Sequence, residues 1–260
     1  MKTVEEVSKN MQGTKDRSNY KFTAIILAAG QGKRMNAKIQ KQYLMLNDKP
    51  LIYYSLKSFE DSPVDEIILV AGVGEIEYCK EEIVKRYGFL KVCAVVAGGR
   101  ERYHSVFCGL RAVRESDFVL IHDGARPFVD VPIIIRAMEG ALKFKACAVG
   151  MPVKDTIKIA DEKCFATMTP KRNHVWMMQT PQAFSFLLLY DGYKKLLDRE
   201  AAAEEIFVTD DAMVIETFGN TAVKLIEGSY ENIKITTPED LEIARIFSKN
   251  KNDNFVSPDT

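Results

Sequence analysis

The chain has no run of about 18 consecutive apolar residues, so no membrane-spanning helix is expected. Its start, Met1-Lys2-Thr3-Val4-Glu5-Glu6, mixes both charge signs and has no apolar core, so it does not read as a secretion signal. Excess charge is missing too: 36 Lys and Arg balance 36 Asp and Glu. Nucleic-acid binders usually carry a basic excess, so any phosphate site here has to be local. Histidine is scarce, and His104, His122 and His174 stand at no metal-ligand spacing. Five cysteines include no Cys-x-x-Cys pair, and four of them sit in apolar stretches, as core thiols do. These absences point to a cytoplasmic chain that binds neither membrane nor nucleic acid. Hydrophobic residues make up 47% of it, enough for a sizeable core.

What is present is an alternation of strands and helices. Phe22–Ala28 is a continuous apolar run ending in Ala-Gly, as in a strand buried on both faces. Helical spacing follows at Pro50–Phe59, Ile76–Tyr87, Arg102–Val113 and Pro132–Phe144. Strands are expected between these helices at Glu66–Ala71, Lys91–Ala97, Phe118–Ile121 and Ala146–Val149. Strands separated by helices of this length need right-handed crossovers, hence an α/β fold with a mainly parallel sheet. Residues 153–178 break the rhythm. They alternate β-branched and polar residues around Ala160-Asp161-Glu162-Lys163, and read as a projecting β-arm. Helical spacing returns at Phe186–Leu197 and after Thr209, a candidate N-cap with acids in the first turn. Thr221–Ile226 and Ile233–Ile235 read as late strands, and Thr237-Pro238 as a helix start. Residues 1–20 read as a frayed leader, 21–248 as the folded domain and 249–260 as a polar tail.

Chemistry is concentrated at strand ends. The first strand empties into Ala28-Ala29-Gly30-Gln31-Gly32-Lys33-Arg34-Met35, where small residues let backbone N–H groups approach an anion. The ATPase phosphate loop is excluded because Arg34 follows Gly32-Lys33 where Ser or Thr is required. A dinucleotide fingerprint is disfavoured: Met35 stands where its third glycine belongs, and no acid follows at the expected strand end. Lys33, Arg34, Lys38 and Lys41 then gather cations suited to a nucleoside triphosphate. At another strand end, His122-Asp123-Gly124-Ala125-Arg126-Pro127 offers Asp123 either as a Mg2+ ligand or as a turn cap. Arg126 either steers a second phosphate or pairs with an acid. In Gly98-Gly99-Arg100-Glu101-Arg102-Tyr103-His104-Ser105, Ser105 is placed to hydrogen-bond a base or to serve local structure.

Taken together these clusters carry a resemblance. Ala-Ala-Gly-x-Gly-x-Arg-Met, Lys41-Gln42-Tyr43, Gly-Gly-x-x-Arg-x-x-Ser, His-Asp-Gly-Ala-Arg-Pro, Gln179-Thr180-Pro181-Gln182, Thr209-Asp210-Asp211-Ala212 and Asn232-Ile233-Lys234-Ile235-Thr236 occur in that order. Over roughly residues 22–247 the chain resembles the 2-C-methyl-D-erythritol 4-phosphate cytidylyltransferase family. The resemblance implies a Rossmann-like, three-layer nucleotidyltransferase fold with an arm that reaches across a homodimer. It implies CTP and a small sugar-alcohol phosphate as substrates, Mg2+ as cofactor, and Asp123 in the metal and ribose region with Gly124. Ala28, Ala29, Gly30 and Gly32 would line the CTP phosphates, and Gly99 and Ser105 would face the cytosine. Arg34 and Lys41 would stabilise charge on the reacting phosphate, and Lys234 would be a catalytic residue on the acceptor side. Thr156 and Arg172 would bind the acceptor's phosphate from the neighbouring subunit, and Arg126, Thr180 and Thr209 would complete the acceptor side. Gln40 stands where many members have Pro, and Arg100 and Glu231 replace an Asp found in some. Two other readings stay open at this point: a ribitol-5-phosphate cytidylyltransferase, and a non-catalytic nucleotide-binding regulator.

Overall fold

The computed structural model describes residues 17–30 and 40–253. Residues 1–16 of the expected leader, residues 254–260 of the expected tail, and Gly32, Lys33, Arg34, Met35 and Lys38 lie outside the described residues. A 3-10 turn, Arg17–Asn19, leads in, and Tyr20 sets its ring edge-on against Phe118.

Strand β1 is Phe22–Ala28. A small hairpin of β2, Met45–Leu46, and β3, Lys49–Pro50, leads into helix α1, Leu51–Glu60. Next come β4, Glu66–Ala71, and helix α2, Ile76–Tyr78, which continues as a π-helix over Cys79–Lys85. Strand β5, Val92–Ala97, helix α3, Arg102–Ala112, and strand β6, Phe118–Asp123, follow. Helix α4, Val131–Phe144, has Asp130 as N-cap accepting from the Ile133 amide, and Pro132 in its first turn, where a missing N–H costs nothing. Then come β7, Ala146–Pro152, and an exposed hairpin of β8, Ile159–Ala160, with β9, Ala166–Met168. The chain closes with β10, Trp176–Ser185, and α5, Phe186–Ala201. After these come α6, Asp211–Val214, extended by π-helical Ile215–Gly219, then β11, Lys224–Glu227, and α7, Pro238–Asp253.

Seven strands form one sheet in the order β11-β7-β10-β6-β1-β4-β5. β1 pairs in parallel with both β4 and β6, β4 with β5, and β7 with β11, while β10 runs antiparallel between β6 and β7. Alternate side chains of β1 enter opposite layers: Ala24 and Ile26 pack with α1, α2 and α4, and Ile25 packs with α3 and α5. Those two clusters are the helical layers on either face of the sheet. Gly109 lets α3 lie close, since a Cβ there would come within 2.5 Å of Ile25 Cγ2. A third cluster, Leu46, Leu51, Phe128, Ile235 and Ala244, seats α7 beside the hairpin.

The sequence reading needs five corrections. β10 is a ten-residue strand that starts inside the expected arm, so the projecting part ends before Trp176. Pro181 lacks an amide hydrogen, and it falls where the β10–β7 register shifts between Met178 and Gln182, so the ladder absorbs it. Ile233–Ile235 makes no strand, although the Ile235 amide donates to Ala125 O at 2.8 Å. The expected Thr221–Ile226 strand is β11, Lys224–Glu227. Asp210, not Thr209, caps α6, its carboxylate accepting from the Met213 amide. Helix α7 runs into the expected tail as far as Asp253.

Candidate active site

The strand order reverses direction at β1: the chain goes outward to β4 and β5, then returns to the other side of β1 as β6. Open parallel sheets leave a crevice at such a point, beyond the carboxyl ends of the strands. The sequence motifs converge there.

Ala28 closes β1 and is buried, while Gly30 is exposed, with open space where a Cβ would point. Lys41 opens a 3-10 turn, Lys41–Tyr43, held from both sides. The Gln42 side chain donates through Nε2 to Ala28 O. The Tyr43 hydroxyl donates to Glu75 Oε2 at 3.0 Å, and that carboxylate also accepts from the Gly72 amide at the end of β4 (3.1 Å). The turn is thereby pinned to the ends of two adjacent strands.

Asp123, the last residue of β6, is the electrostatic centre. Its carboxylate accepts from Lys234 Nζ at 2.7 Å and Arg102 Nε at 3.2 Å, and Arg126 Nε stands 4.0 Å away. Burial alone would push the Asp123 carboxyl up. Arg102, Lys234 and Arg126 overcome that and hold it far below the usual carboxylate range. Arg102 also forks onto Asp211, Nη1 to Oδ1 at 3.0 Å and Nη2 to Oδ2 at 2.8 Å. Asp211 is wholly buried and receives the Tyr193 hydroxyl as well. Burial opposes the Arg102 charge, but Asp211 and Asp123 keep it protonated. Three cations against two carboxylates leave this cluster net positive, which suits an anionic ligand.

Thr180 and His122 set the backbone of this centre. The Asp123 amide donates to Thr180 Oγ1 at 3.1 Å, and the Thr180 hydroxyl donates to His122 Nδ1 at 2.9 Å. His122 Nε2 then faces Arg126 O at 3.4 Å. Burial first, then Arg126, brings the imidazole down to about 3 against the pull of Asp123. His122 is a neutral structural link, both nitrogens engaged. Arg126 reaches Asn232 O at 2.7 Å and Met178 O at 3.3 Å, and its Nε has no hydrogen-bond partner among the described residues. Lys234 is brought in by the segment before α7, where Asn232 donates to Thr180 O at 2.9 Å.

The Gly98–Ser105 loop, which includes the first turn of α3, borders the same crevice. A Cβ on Gly98 would sit 2.4 Å from the Ala29 Cβ, so the loop lies directly on the end of β1. Ser105 Oγ accepts from the Gly99 amide at 3.1 Å and faces Glu101 O at 3.2 Å, so here its hydroxyl closes the loop. Gly124 is packed under Ile52, and its amide donates to Leu27 O at 2.9 Å.

Of the residues singled out from sequence, the structure brings Asp123, Arg126, Thr180 and Lys234 into one cluster. Ala28, Gly99 and Ser105 line its border. Thr209 is exposed at the start of α6. Thr156 and Arg172 are exposed on the arm, where Arg172 Nη1 donates to Lys154 O at 3.0 Å. Arg102 and Asp211 stand inside the sequence motifs but are not singled out by them as site residues. The available signal was Arg102 in the first turn of a helix that begins at a strand end.

Among the described residues no group of three or more His, Cys, Asp or Glu side chains is placed to hold a metal. A free-standing metal centre does not fit this donor set. An ion carried in on a triphosphate does fit, because Mg2+ takes one or two carboxylates plus phosphate oxygens and Asp123 is held ionised. Among the described residues no helix is long and apolar enough to cross a membrane.

A family model described as 2-C-methyl-D-erythritol 4-phosphate cytidylyltransferase matches residues 22–250. A protein of that name from Lachnoclostridium phytofermentans is 49% identical over 233 residues, covering 90% of this chain and 98% of that protein. One of the same name from Lachnospira eligens is 50% identical over 228 residues, covering 87% and 99%. The crystal structure of 4-diphosphocytidyl-2C-methyl-D-erythritol synthase from Anaerococcus prevotii superposes with TM-score 0.77 at 34% identity, over 89% of this chain and 97% of that one. The Thermus thermophilus 2-C-methyl-D-erythritol 4-phosphate cytidylyltransferase gives TM-score 0.70 at 26% identity, over 88% and 99%.

Proposed function

The chain belongs to the 2-C-methyl-D-erythritol 4-phosphate cytidylyltransferase family, and from that premise we propose that it transfers CMP from CTP to 2-C-methyl-D-erythritol 4-phosphate, releasing pyrophosphate. The product is 4-diphosphocytidyl-2-C-methyl-D-erythritol, a step in non-mevalonate isoprenoid synthesis. The observation that carries this reading is Asp123, ionised and ringed by Arg102, Lys234 and Arg126 at the sheet's reversal point.

A phosphate monoester is largely dianionic near neutral pH, its second pKa being about 6. One of its oxygens attacks the α-phosphorus of CTP. The new P–O bond forms as the bond from that phosphorus to the bridging oxygen breaks, and the electron pair leaves with pyrophosphate. The attacking oxygen carries no proton, so no general base is required. A neutral His122 with both nitrogens engaged is consistent with that. Transfers of this kind are accelerated chiefly by placed positive charge.

In this reading Ala28, Ala29, Gly30 and Gly32 cradle the triphosphate, and Arg34 and Lys41 meet charge growing on the α-phosphate and the leaving group. Gly99 and Ser105 border the base, and Asp123 and Gly124 the ribose. Lys234 and Arg126 stand by the acceptor, with Thr180 fixing their backbone and Thr209 at the rim. Asp123 would hold a Mg2+ ion carried by CTP, and that ion would supply charge neutralisation. Thr156 and Arg172 act on the partner's acceptor site in a homodimer joined through the arm, and the protein works in the cytoplasm.

The test is pyrophosphate release with CTP and 2-C-methyl-D-erythritol 4-phosphate, ribitol 5-phosphate or no acceptor. Turnover with the first acceptor alone is expected, abolished by excess chelator. Preference for ribitol 5-phosphate would overturn the acceptor assignment. Binding of CTP without turnover on either acceptor would leave a nucleotide-binding regulator, and full turnover in chelator would remove the metal.

A further inference from the structure

Glu200, near the end of α5, lies far in sequence from the crevice, yet it collects three donors from the loop that borders it. Its Oε1 accepts from the Tyr103 hydroxyl at 2.7 Å and from Arg100 Nη2 at 3.2 Å, and its Oε2 pairs with His104 Nε2 at 2.8 Å. The Glu101 amide donates to His104 Nδ1 at 3.2 Å. A backbone N–H can only donate, so Nδ1 is the acceptor and Nε2 carries the proton given to Glu200. The imidazole is therefore a strut of fixed orientation between helix α5 and the loop.

The strut bears on the glycines. A Cβ on Gly99 would lie 2.4 Å from the His104 Cβ, and one on Gly98 would lie 2.4 Å from the Ala29 Cβ. Glu200, His104, Gly99–Gly98 and Ala29 thus form one continuous line of contact from α5 to the end of β1. Side-chain exposures of 26% for Glu200 and 23% for His104 put the contact half out of water, where charge-assisted hydrogen bonds keep much of their strength. On its outer side it opens onto a groove between α3 and α5 lined by Phe107, Cys108 and Leu197. The three donors, with Tyr103 foremost, also hold the Glu200 carboxyl below its usual range.

We propose that Glu200 is a positioning residue for the nucleotide: through His104 and Tyr103 it holds the Gly98–Ser105 loop closed on β1, and so sets the affinity for CTP and the preference for its base. This rests on the cytidylyl-transfer reading for the identity of the nucleotide. Glu200 touches no reacting atom in that reading, so its loss acts on binding rather than on chemistry.

Glu200→Gln and Glu200→Ala are to be compared with the wild-type chain by steady-state kinetics and by calorimetric titration with CTP. The expected result is a rise of roughly 5- to 20-fold in KM and Kd for CTP, the low end of the loss of a single hydrogen bond to a charged group. kcat stays within about twofold, the KM for the acceptor is unchanged, and the CTP-over-UTP preference falls. Tyr103→Phe removes one donor and gives a smaller change in the same direction, and it carries the test if neither Glu200 variant folds. Unchanged CTP affinity in variants that melt like wild type overturns the proposal, as does a fall in kcat with both KM values moving together. If the wild-type chain binds CTP but releases no pyrophosphate, the cytidylyl-transfer reading fails, while the titrations still decide the role of Glu200.

Discussion

Lys41 stands on a turn that its two neighbours anchor. Gln42 bonds to the end of β1 and Tyr43 to Glu75, and both contacts remain when the lysine side chain is removed. If the Lys41 ammonium meets charge that grows in the transition state, Lys41→Ala lowers kcat by roughly 10²–10³, as losing one oxyanion donor does. The melting temperature should hardly move. If Lys38→Ala proves crippling and Lys41→Ala mild, the register of this loop has been misassigned. His122 makes the opposite case, a residue whose cost appears in stability rather than rate. Unfolded, its imidazole takes a proton near 6.5; folded, burial brings it to about 3. Between those values the unfolded chain binds a proton that the folded chain does not. The stabilisation is full above pH 6.5 and is lost as pH falls, by at most about 1.4 kcal/mol per pH unit. Urea midpoints between pH 7.5 and 5 should fall in the wild-type chain, and fall less in His122→Asn, whose amide oxygen replaces Nδ1 as acceptor for Thr180. Equal slopes would mean that His122 is not the group responsible.

At the scale of elements, helix α3 depends on a missing side chain. Gly109→Ala places a Cβ about 2.5 Å from Ile25 Cγ2 and 3.1 Å from Val70 Cγ2, on the two strands that α3 covers. Helix propensity favours alanine by roughly 1 kcal/mol, but overpacking a tight interface costs about 1–3 kcal/mol. A net loss of stability is therefore expected, read as a lower urea midpoint, and a gain would show that α3 can lift off the sheet freely. The same elements explain what was legible in the chain. β1, β4 and α4 announce themselves because a doubly buried strand is one apolar run and a helix packed on one face repeats its apolar residues at helical spacing. β10 did not, because Pro181 speaks against a strand and the register shift that accommodates it is a property of β7 as well. Ile233–Ile235 has strand-like residues but is fixed by the Ile235 bond to Ala125, with the preceding Asn232 bonded to Thr180, rather than by a ladder. Site residues on strand ends were legible from motif order. The pairing of Arg102 with Asp211 was not, since it joins residues far apart in sequence and only the packing of α3 beside α6 supplies it.

At the scale of the whole molecule, the projecting hairpin demands an explanation. Among the described residues β8 and β9 pair only with each other, and Ile159 and Met168 on them and Phe165 in the turn between them are exposed. Arg172, at the foot of this arm, is likewise exposed and bonds to Lys154 O. In the proposed homodimer the arm crosses to the partner, so each catalytic site takes Lys41 from one chain and Arg172 from the other. Mixing two damaged chains tests this. Lys41→Ala and Arg172→Ala homodimers are each expected to be nearly inactive. If subunits exchange at random, about half the dimers are mixed, by the symmetry of a two-fold assembly. Each mixed dimer holds one site with both defects and one intact site, built from the unmutated Lys41 of one chain and the unmutated Arg172 of the other. Recovered activity should approach about a quarter of wild type when equal amounts exchange freely. If both residues serve a site within one chain, every site keeps a defect and mixing restores nothing. A flat result, with exchange verified by mass-tagged subunits, would remove the shared site and leave the transfer chemistry to be carried by residues of a single chain.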